Sequence, residues 1–399
     1  LDKAYSHAMQ EVADRFPEHD QVQALAAEAI MDAQPWDYWE PGGKVPKGDA
    51  AKALERIETV LERNPDHVLA IHLHIHLTEA SDDPWRAAAG AERLASLAPG
   101  AGHLVHMPAH TWFRIGRFRE SLEANVEAVK VDQEYLEEAG DAASVIYRYG
   151  YYPHNVHFLL TSAQMAGDGA TALKAADDLD AALPIEMADN EGWVQLIKAA
   201  PLFARVQLGD EKVLKAILAY ETERALPFIE AARIYARGEA AARLGRADEA
   251  RREAEALTAL DEATDWESAI PGMPGAAVVD IMHETVLGRA ALAEGDTGAA
   301  VEHFGRATEM QAALPYLEPP FWYYPARQSY AAALLADGQA ERAEQEFFAT
   351  LVESPDNGWA YWGLAEARKA QGDSAGAEGA RAMWQQAWIG DGEPELAGL

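Results

Sequence analysis

A turn glycine returns along this chain at the spacing of helix pairs, and that repetition constrains the fold more than any other feature. The segments FRIGRFRESLEANVEAVKVD (113–132), QMAGDGATALKAADDLDAALP (164–184), ARLGRADEARREAEALTAL (242–260), LAEGDTGAAVEHFGRATEM (292–310), LADGQAERAEQEFFATLVESP (335–355) and KAQGDSAGAEGARAMWQQA (369–387) align on one template. In each, a Gly ends one helix and a second helix opens two or three residues later. Ala is frequent and Pro tends to follow amphipathic stretches, punctuation that predicts many short helices and no strands.

The matched turn residues are Gly116, Gly167, Gly245, Gly295, Gly338 and Gly372. Ala172, Ala250, Ala300, Ala343 and Ala377 follow at one fixed offset, Phe304 and Phe347 at another, and Pro65, Pro99 and Pro184 close units. The pattern resembles the tetratricopeptide repeat family, whose 34-residue helix-turn-helix unit carries such residues near positions 15, 20, 24 and 32. The resemblance covers nearly the whole chain in about nine units. It implies an all-α fold, a right-handed α-solenoid in which each helix pair covers the apolar face of the last, with a concave face lined by first helices. On this reading 1–399 is one solenoid, 68–184 holds three histidine-bearing repeats, and 185–399 holds the C-terminal repeats. Two segments interrupt the array, Pro35 to Gly48 (PWDYWEPGGKVPKG) within an early repeat and 136–152 (LEEAGDAASVIYRYGYY) between repeats. Loops of such length in a compact array are more often functional than idle.

Charge and composition exclude several classes. Against 33 Lys and Arg stand 66 Asp and Glu, a formal net charge of −33. Such a surface repels phosphate backbones and anionic lipid, so nucleic acid and a polybasic membrane anchor are not expected partners. With no Cys, thiolate ligands, disulfides and Cys nucleophiles are absent, and redox chemistry leaves the compartment open. No stretch reaches the roughly 18 to 20 apolar residues of a spanning helix, which points to a soluble chain. Leu1 in place of Met, in a segment that already reads as helix, fits a longer precursor with a removed leader.

Eight of the 13 His cluster: His72, His74, His76, His103, His106, His110, His154 and His157. With repeat position 1 at Val68, Gly102 and Pro153, His103 and His154 take position 2. His72, His106 and His157 take position 5, His76 and His110 position 9, and Glu79 position 12. Spacings of three and four put these on one helical stripe, and in the resembling family that stripe faces the concave groove. His74 is out of phase and should point elsewhere. Pro108, inside an expected first helix, implies either a helix start at about Met107 or a kink that aims His106 and His110 inward. Tyr147, Tyr149, Tyr151 and Tyr152 precede the His154 pair and would wall a pocket or cover apolar surface. PWDYWE (35–40) and YLEPPFWYYPARQ (316–328) would pack between repeats or present Asp37, Glu318 or Arg327 to a ligand.

Imidazoles at i and i+4 can ligate one metal. The reading is therefore a metal site built from His72, His76, His103, His106, His110, His154 and His157, with Glu79 as ligand or general base. A set of imidazoles with one carboxylate and no thiolate suits copper, zinc or iron and not Mg or Ca. Seven imidazoles exceed the need of one ion, so one or two ions are expected. The combination of HxxxHxxE, GHLVHMPxH and HNxH further resembles a group of bacterial tetratricopeptide-repeat proteins that carry these histidines together, which implies a site and names no reaction. No G-x-S-x-G, P-loop, G-x-G-x-x-G after a strand or HExxH is present. Two functions follow: a metal-dependent oxidoreductase, hydrolase or lyase acting on a small molecule in the groove, or a scaffold binding a peptide there.

Overall fold

The computed structural model describes residues 1–399 apart from 190, 223, 225, 396, 397 and 399. Among the described residues there is no strand, only an isolated bridge between Trp39 and Pro46. The fold is all-α and built from antiparallel helix pairs of tetratricopeptide type. It packs as two compact units, Leu1–Ala143 with Tyr316–Glu318, and Ser144–Pro315 with Pro319–Leu399.

In the first unit the helices are α1 (Asp2–Arg15), α2 (Asp20–Asp32), α3 (Ala50–Arg63), α4 (Val68–Glu79), α5 (Ala88–Leu97), α6 (Gly102–His106), α7 (Pro108–Arg114) and α8 (Phe118–Ala139). Helix α4 is apolar on two sides. Leu73 and Leu77 join Ala24, Ile30 and Ile57 in one core cluster, while Ile71 and Ile75 join Leu94, Met107 and Trp112 in another. A helix gripped on two sides has one stripe left over, and here that stripe carries His72, His76 and Glu79.

The insert at Pro35–Gly48 is an ordered clamp on the end of α4. Tyr38 is buried, the Trp39 indole N–H donates to the Leu77 carbonyl at 2.7 Å, and Asp82 N–H donates to the Gly43 carbonyl at 3.0 Å. Gly43 has φ +71°, and a Cβ there would run into the Ser81–Asp82 backbone, so glycine is required for the approach. The second insert is shorter as a loop than the sequence suggests. Helix α8 continues to Ala139, so Leu136–Ala139 are helical, and Tyr147–Tyr151 form a π-helical turn. The strong helix formers Leu136, Glu137, Glu138 and Ala139 explain the extension.

The second unit comprises α9 (Tyr152–Ala166), α10 (Gly169–Ala182), α11 (Val194–Leu208), α12 (Glu211–Leu218), α13 (Pro227–Arg243), α14 (Ala247–Ala263), α15 (Trp266–Ala269), α16 (Gly275–Glu294), α17 (Thr297–Ala312), α18 (Ala326–Ala336), α19 (Ala340–Glu353), α20 (Gly358–Ala370) and α21 (Ser374–Ala387). All six template glycines, five of them here, adopt the left-handed conformation with φ between 71° and 83°. At Gly167, Gly295 and Gly372 the next residue is an Asp whose carboxylate caps the following helix through the N–H of Thr171, Ala299 and Gly376. The template alanines are buried, and Phe304 and Phe347 are fully enclosed against Gly288 and Gly363. The unit also closes on itself: the Trp359 indole donates to the Gln164 carbonyl at 3.0 Å, Ile389 N–H to the Ala166 carbonyl at 2.9 Å, and the Trp388 ring covers Gly167. Its interior holds Phe203 stacked on Tyr323 at 4.9 Å, Trp322, Tyr235, and the buried ion pair Glu239–Arg289 at 3.3 Å.

Candidate metal centre

The site in the first unit begins with the end of α4. The last carbonyls of a helix lack partners within it. Here Trp39 takes that of Leu77, and the Arg114 guanidinium takes that of Glu79 at 2.6 Å and that of Ser81 at 3.2 Å. The positive charge at the C-terminal end of α4 also complements the helix dipole. Glu79 is thereby fixed, and its side chain is 1% exposed.

Each Glu79 oxygen meets an imidazole. Oε1 lies 3.0 Å from His76 Nδ1 and Oε2 lies 2.6 Å from His110 Nδ1. Burial alone would raise the Glu79 carboxyl, but His110 and His76 outweigh it and hold it at about 2, ionised at neutral pH. An ionised carboxylate accepts, so Nδ1 is the donor of His76, while His110 meets Glu79 as a charge-pair contact.

His72 and His103 complete one side of the cluster. Their Nε2 atoms stand 3.2 Å apart, and the His72 ring meets those of His76 and His103 edge-on at 4.9 and 5.1 Å. Burial first, then the neighbouring imidazoles, depresses His72 to about 2 and His103 to about 3, so both rings are neutral and carry lone pairs. His72, His76 and His103 each offer one ligand atom within 4.8 Å of the others, as do His76, Glu79 and His110.

Helices α6 and α7 supply the other side. The helix expected to run through position 7 breaks at Met107, with Pro108 opening α7 in its first turn. A helix start and a kink were alternatives in the sequence, and the break combines them. His106 and His110 face each other across it, Nε2 to Nε2 at 2.8 Å. His106 Nδ1 lies 2.6 Å from Asn125 Oδ1, and Asn125 Nδ2 donates to the Ser121 carbonyl at 2.9 Å, which fixes the amide's orientation. Ser121 in turn donates to the Ala109 carbonyl at 3.0 Å.

Glu318 joins this unit from far along the chain. It is 3% exposed, and its Oε2 lies 3.9 Å from His110 Nδ1. Tyr316 donates its hydroxyl to Glu318 Oε1, and the Arg114 guanidinium sits over the Tyr316 ring at 5.5 Å. Burial and then the Glu79 charge push Glu318 well above the usual carboxylate range. His106, His110 and Glu79 are buried and His72, His76 and His103 partly so. The cluster is thus largely enclosed, with Asn125 of α8 against His106 and Glu318 near His110.

His154 and His157 lie on α9 of the second unit, where burial holds His157 at about 4 and His154 packs edge-on to Phe158 at 6.0 Å. His74 points away from the stripe, 3.4 Å from Glu58. Asp37 is exposed and pairs with Lys47, while Arg327 pairs with Glu346 and Glu353. Phe321–Tyr324 are packing residues of the second unit. Asn125, Tyr316 and Arg114 were not anticipated. Asn125 has a signal: it occupies position 24, where the template carries an aromatic, and Ser121 occupies position 20, where it carries Ala.

No known protein family's profile matches the chain, and no curated protein matches it. Solved structures do align over most of it. The human IFIT1 dimer with m7Gppp-AAAA is 11% identical over 96% of this chain and 77% of its own, with a TM-score of 0.38. Yeast Tom70 is 11% identical over 97% and 92%, at 0.31, and the P58(IPK) TPR domain 14% over 92% and 92%, at 0.25. At such scores the likeness extends no further than helical repeats. What fold and site together define is a helical-repeat protein with an enclosed histidine and carboxylate cluster. No helix among the described residues is long and apolar enough to cross a membrane.

Proposed function

We propose that this chain is a metal-dependent protein whose ion is held by His72, His76 and His103, with a small molecule as its partner at the partly open side of that trio. The observation that carries the reading is the convergence of three imidazole ligand atoms within 4.8 Å of one another. Were copper, zinc or iron bound, His72, His76 and His103 would hold it and it would supply Lewis-acid or redox chemistry there. The residues do the rest. His72 and His103 stay neutral and so present lone pairs, and Glu79 orients His76 through Nδ1, the usual outer partner of a ligating imidazole. With both oxygens engaged, Glu79 acts as a positioning carboxylate. Glu318, held by Tyr316, lies on the His110 side of the cluster. His106 and His110 extend the same cluster.

Elemental analysis of protein purified without a polyhistidine tag or added metal tests this. Copper or iron near one or two per chain favours oxidoreductase chemistry, and zinc favours hydrolase or lyase chemistry. Absence of metal, with none bound tightly on addition, refutes the reading. A second reading, a scaffold that holds a peptide, rests on the helix-pair repeats themselves, the architecture of grooves that grip extended partners. Under it His72→Ala would leave stability nearly unchanged and metal would have no effect on melting.

A further inference from the structure

We propose that the groove between the Pro35–Gly48 insert and α3 binds a linear aliphatic polyamine, at a site separate from the histidine cluster and independent of the metal reading. The cavity there measures about 430 Å³, within the range of small-molecule sites. Its apolar wall is Trp39, Pro46 and Leu54, and its acidic wall is Glu55, Glu58 and Glu62 of α3. The apolar wall is preformed. Trp39 and Pro46 face each other across the bridge of the insert, flanked by the bonds of Glu40 N–H to the Val45 carbonyl and Lys47 N–H to the Tyr38 carbonyl, both 2.8 Å. The Trp39 ring is held further by its bond to the Leu77 carbonyl.

The acidic wall is under-compensated. Glu55 and Glu62 are exposed and have no ion-pair partner among the described residues. Lys44 and Arg86 also line the groove, but Lys44 reaches none of the three acids and Arg86 engages Glu58 through Oε1 alone. Behind that same oxygen lies His74, 6% exposed, whose Nε2 stands 3.4 Å away and makes no hydrogen bond. A buried polar nitrogen without a partner is uncommon, and this one is aimed at the acidic wall. An ammonium in the groove takes the place of the Arg86 contact and lets Glu58 turn Oε1 to His74, so a bound cation completes the bond that the empty groove leaves unmade. Spacing selects the shape of the cation. Residues i, i+3 and i+7 share one helical stripe, and seven residues rise about 10 Å. Ammonium groups separated by methylene runs match such a row, with the methylenes against Trp39, Pro46 and Leu54. A single metal ion does not, because it needs its carboxylates converged on one point.

The test is calorimetric titration of spermidine into the full chain at about 0.15 M salt, where long-range attraction to the acidic surface is screened. It is run on the parent, on a Glu55→Gln, Glu62→Gln double variant and on a Glu255→Gln, Glu262→Gln double variant, each checked for helicity by circular dichroism. Glu255 and Glu262 stand exposed and unpaired at the same spacing on α14, so their loss removes the same charge away from the groove. The expected result is one spermidine per parent chain, bound about tenfold more weakly by the groove variant and equally well by the α14 variant. 1,3-Diaminopropane, too short to span the row, should bind the parent about tenfold more weakly than spermidine does. Equal losses in the two double variants mean attraction by net charge alone and overturn the site. Absence of saturable binding to the parent overturns it as well. If an arginine-rich peptide saturates on the parent and spermidine does not, the groove docks a protein segment and the polyamine assignment fails.

Discussion

Glu79 divides its two oxygens between two imidazoles, bonding His76 through one and facing His110 with the other. Glu79→Gln keeps the shape but removes the charge that both imidazoles face. Metal affinity is expected to fall about 10- to 100-fold, as read by competition with a chromogenic chelator. The neighbouring rings predict a pH dependence. In the metal-free fold His72 sits at about 2 and His103 at about 3, against 6.5 in the unfolded chain. Between those values the unfolded chain binds protons that the fold excludes. Stability is therefore full above about pH 6.5 and is lost as pH falls toward 3, and Glu79, at about 2 against 4.5, adds to the loss below 4.5. Thermal melts taken from neutral pH downward should show the slope, and a His72→Leu, His103→Leu double variant should flatten it. The histidines were legible because imidazoles at positions 5 and 9 of adjacent repeats are rare by chance and share one stripe. Glu318 was legible only as one of several acids, since no local period links it to His110, more than two hundred residues earlier.

At the scale of elements, the helix pairs follow from turn chemistry that the chain states openly. A left-handed Gly, followed in three of the six turns by a capping Asp, ends one helix and lets the next start. Packing between pairs is equally specific. A Cβ at Gly363 would overlap the fully buried Phe347 ring. Gly363→Ala should cost about 1–3 kcal/mol, measured by urea unfolding, whereas an exposed helix Gly→Ala, as at Gly379, should stabilise by up to about 1 kcal/mol. The break at Met107 was half legible: Pro108 forbids an unbroken helix but does not say whether the chain restarts or bends. The clamp of the Pro35–Gly48 insert on α4 was hidden, because it depends on one indole reaching a carbonyl 38 residues away.

At the scale of the whole molecule, repetition predicts stacking but says nothing of where a stack stops. In the second unit the last repeat returns to the first, through Trp359 on Gln164, a separation of 195 residues, and through Trp388 over Gly167. Trp388→Ala should lower stability by about 2 kcal/mol, below the usual cost of a fully buried Trp because this ring is partly exposed. If the seam ties the unit together, hydrogen exchange will rise at Ala166 and at Ile389 alike. A rise confined to the C-terminal end would show that the seam is passive.

The register of His72 with His106 and of His76 with His110 has a consequence for ancestry. One HxxxH-bearing repeat, copied once in tandem, brings four imidazoles together in a single genetic event, because neighbouring first helices pack side by side. Asn125, Tyr316 and Glu318 lie outside that shared register, so a copy of one such repeat does not supply them.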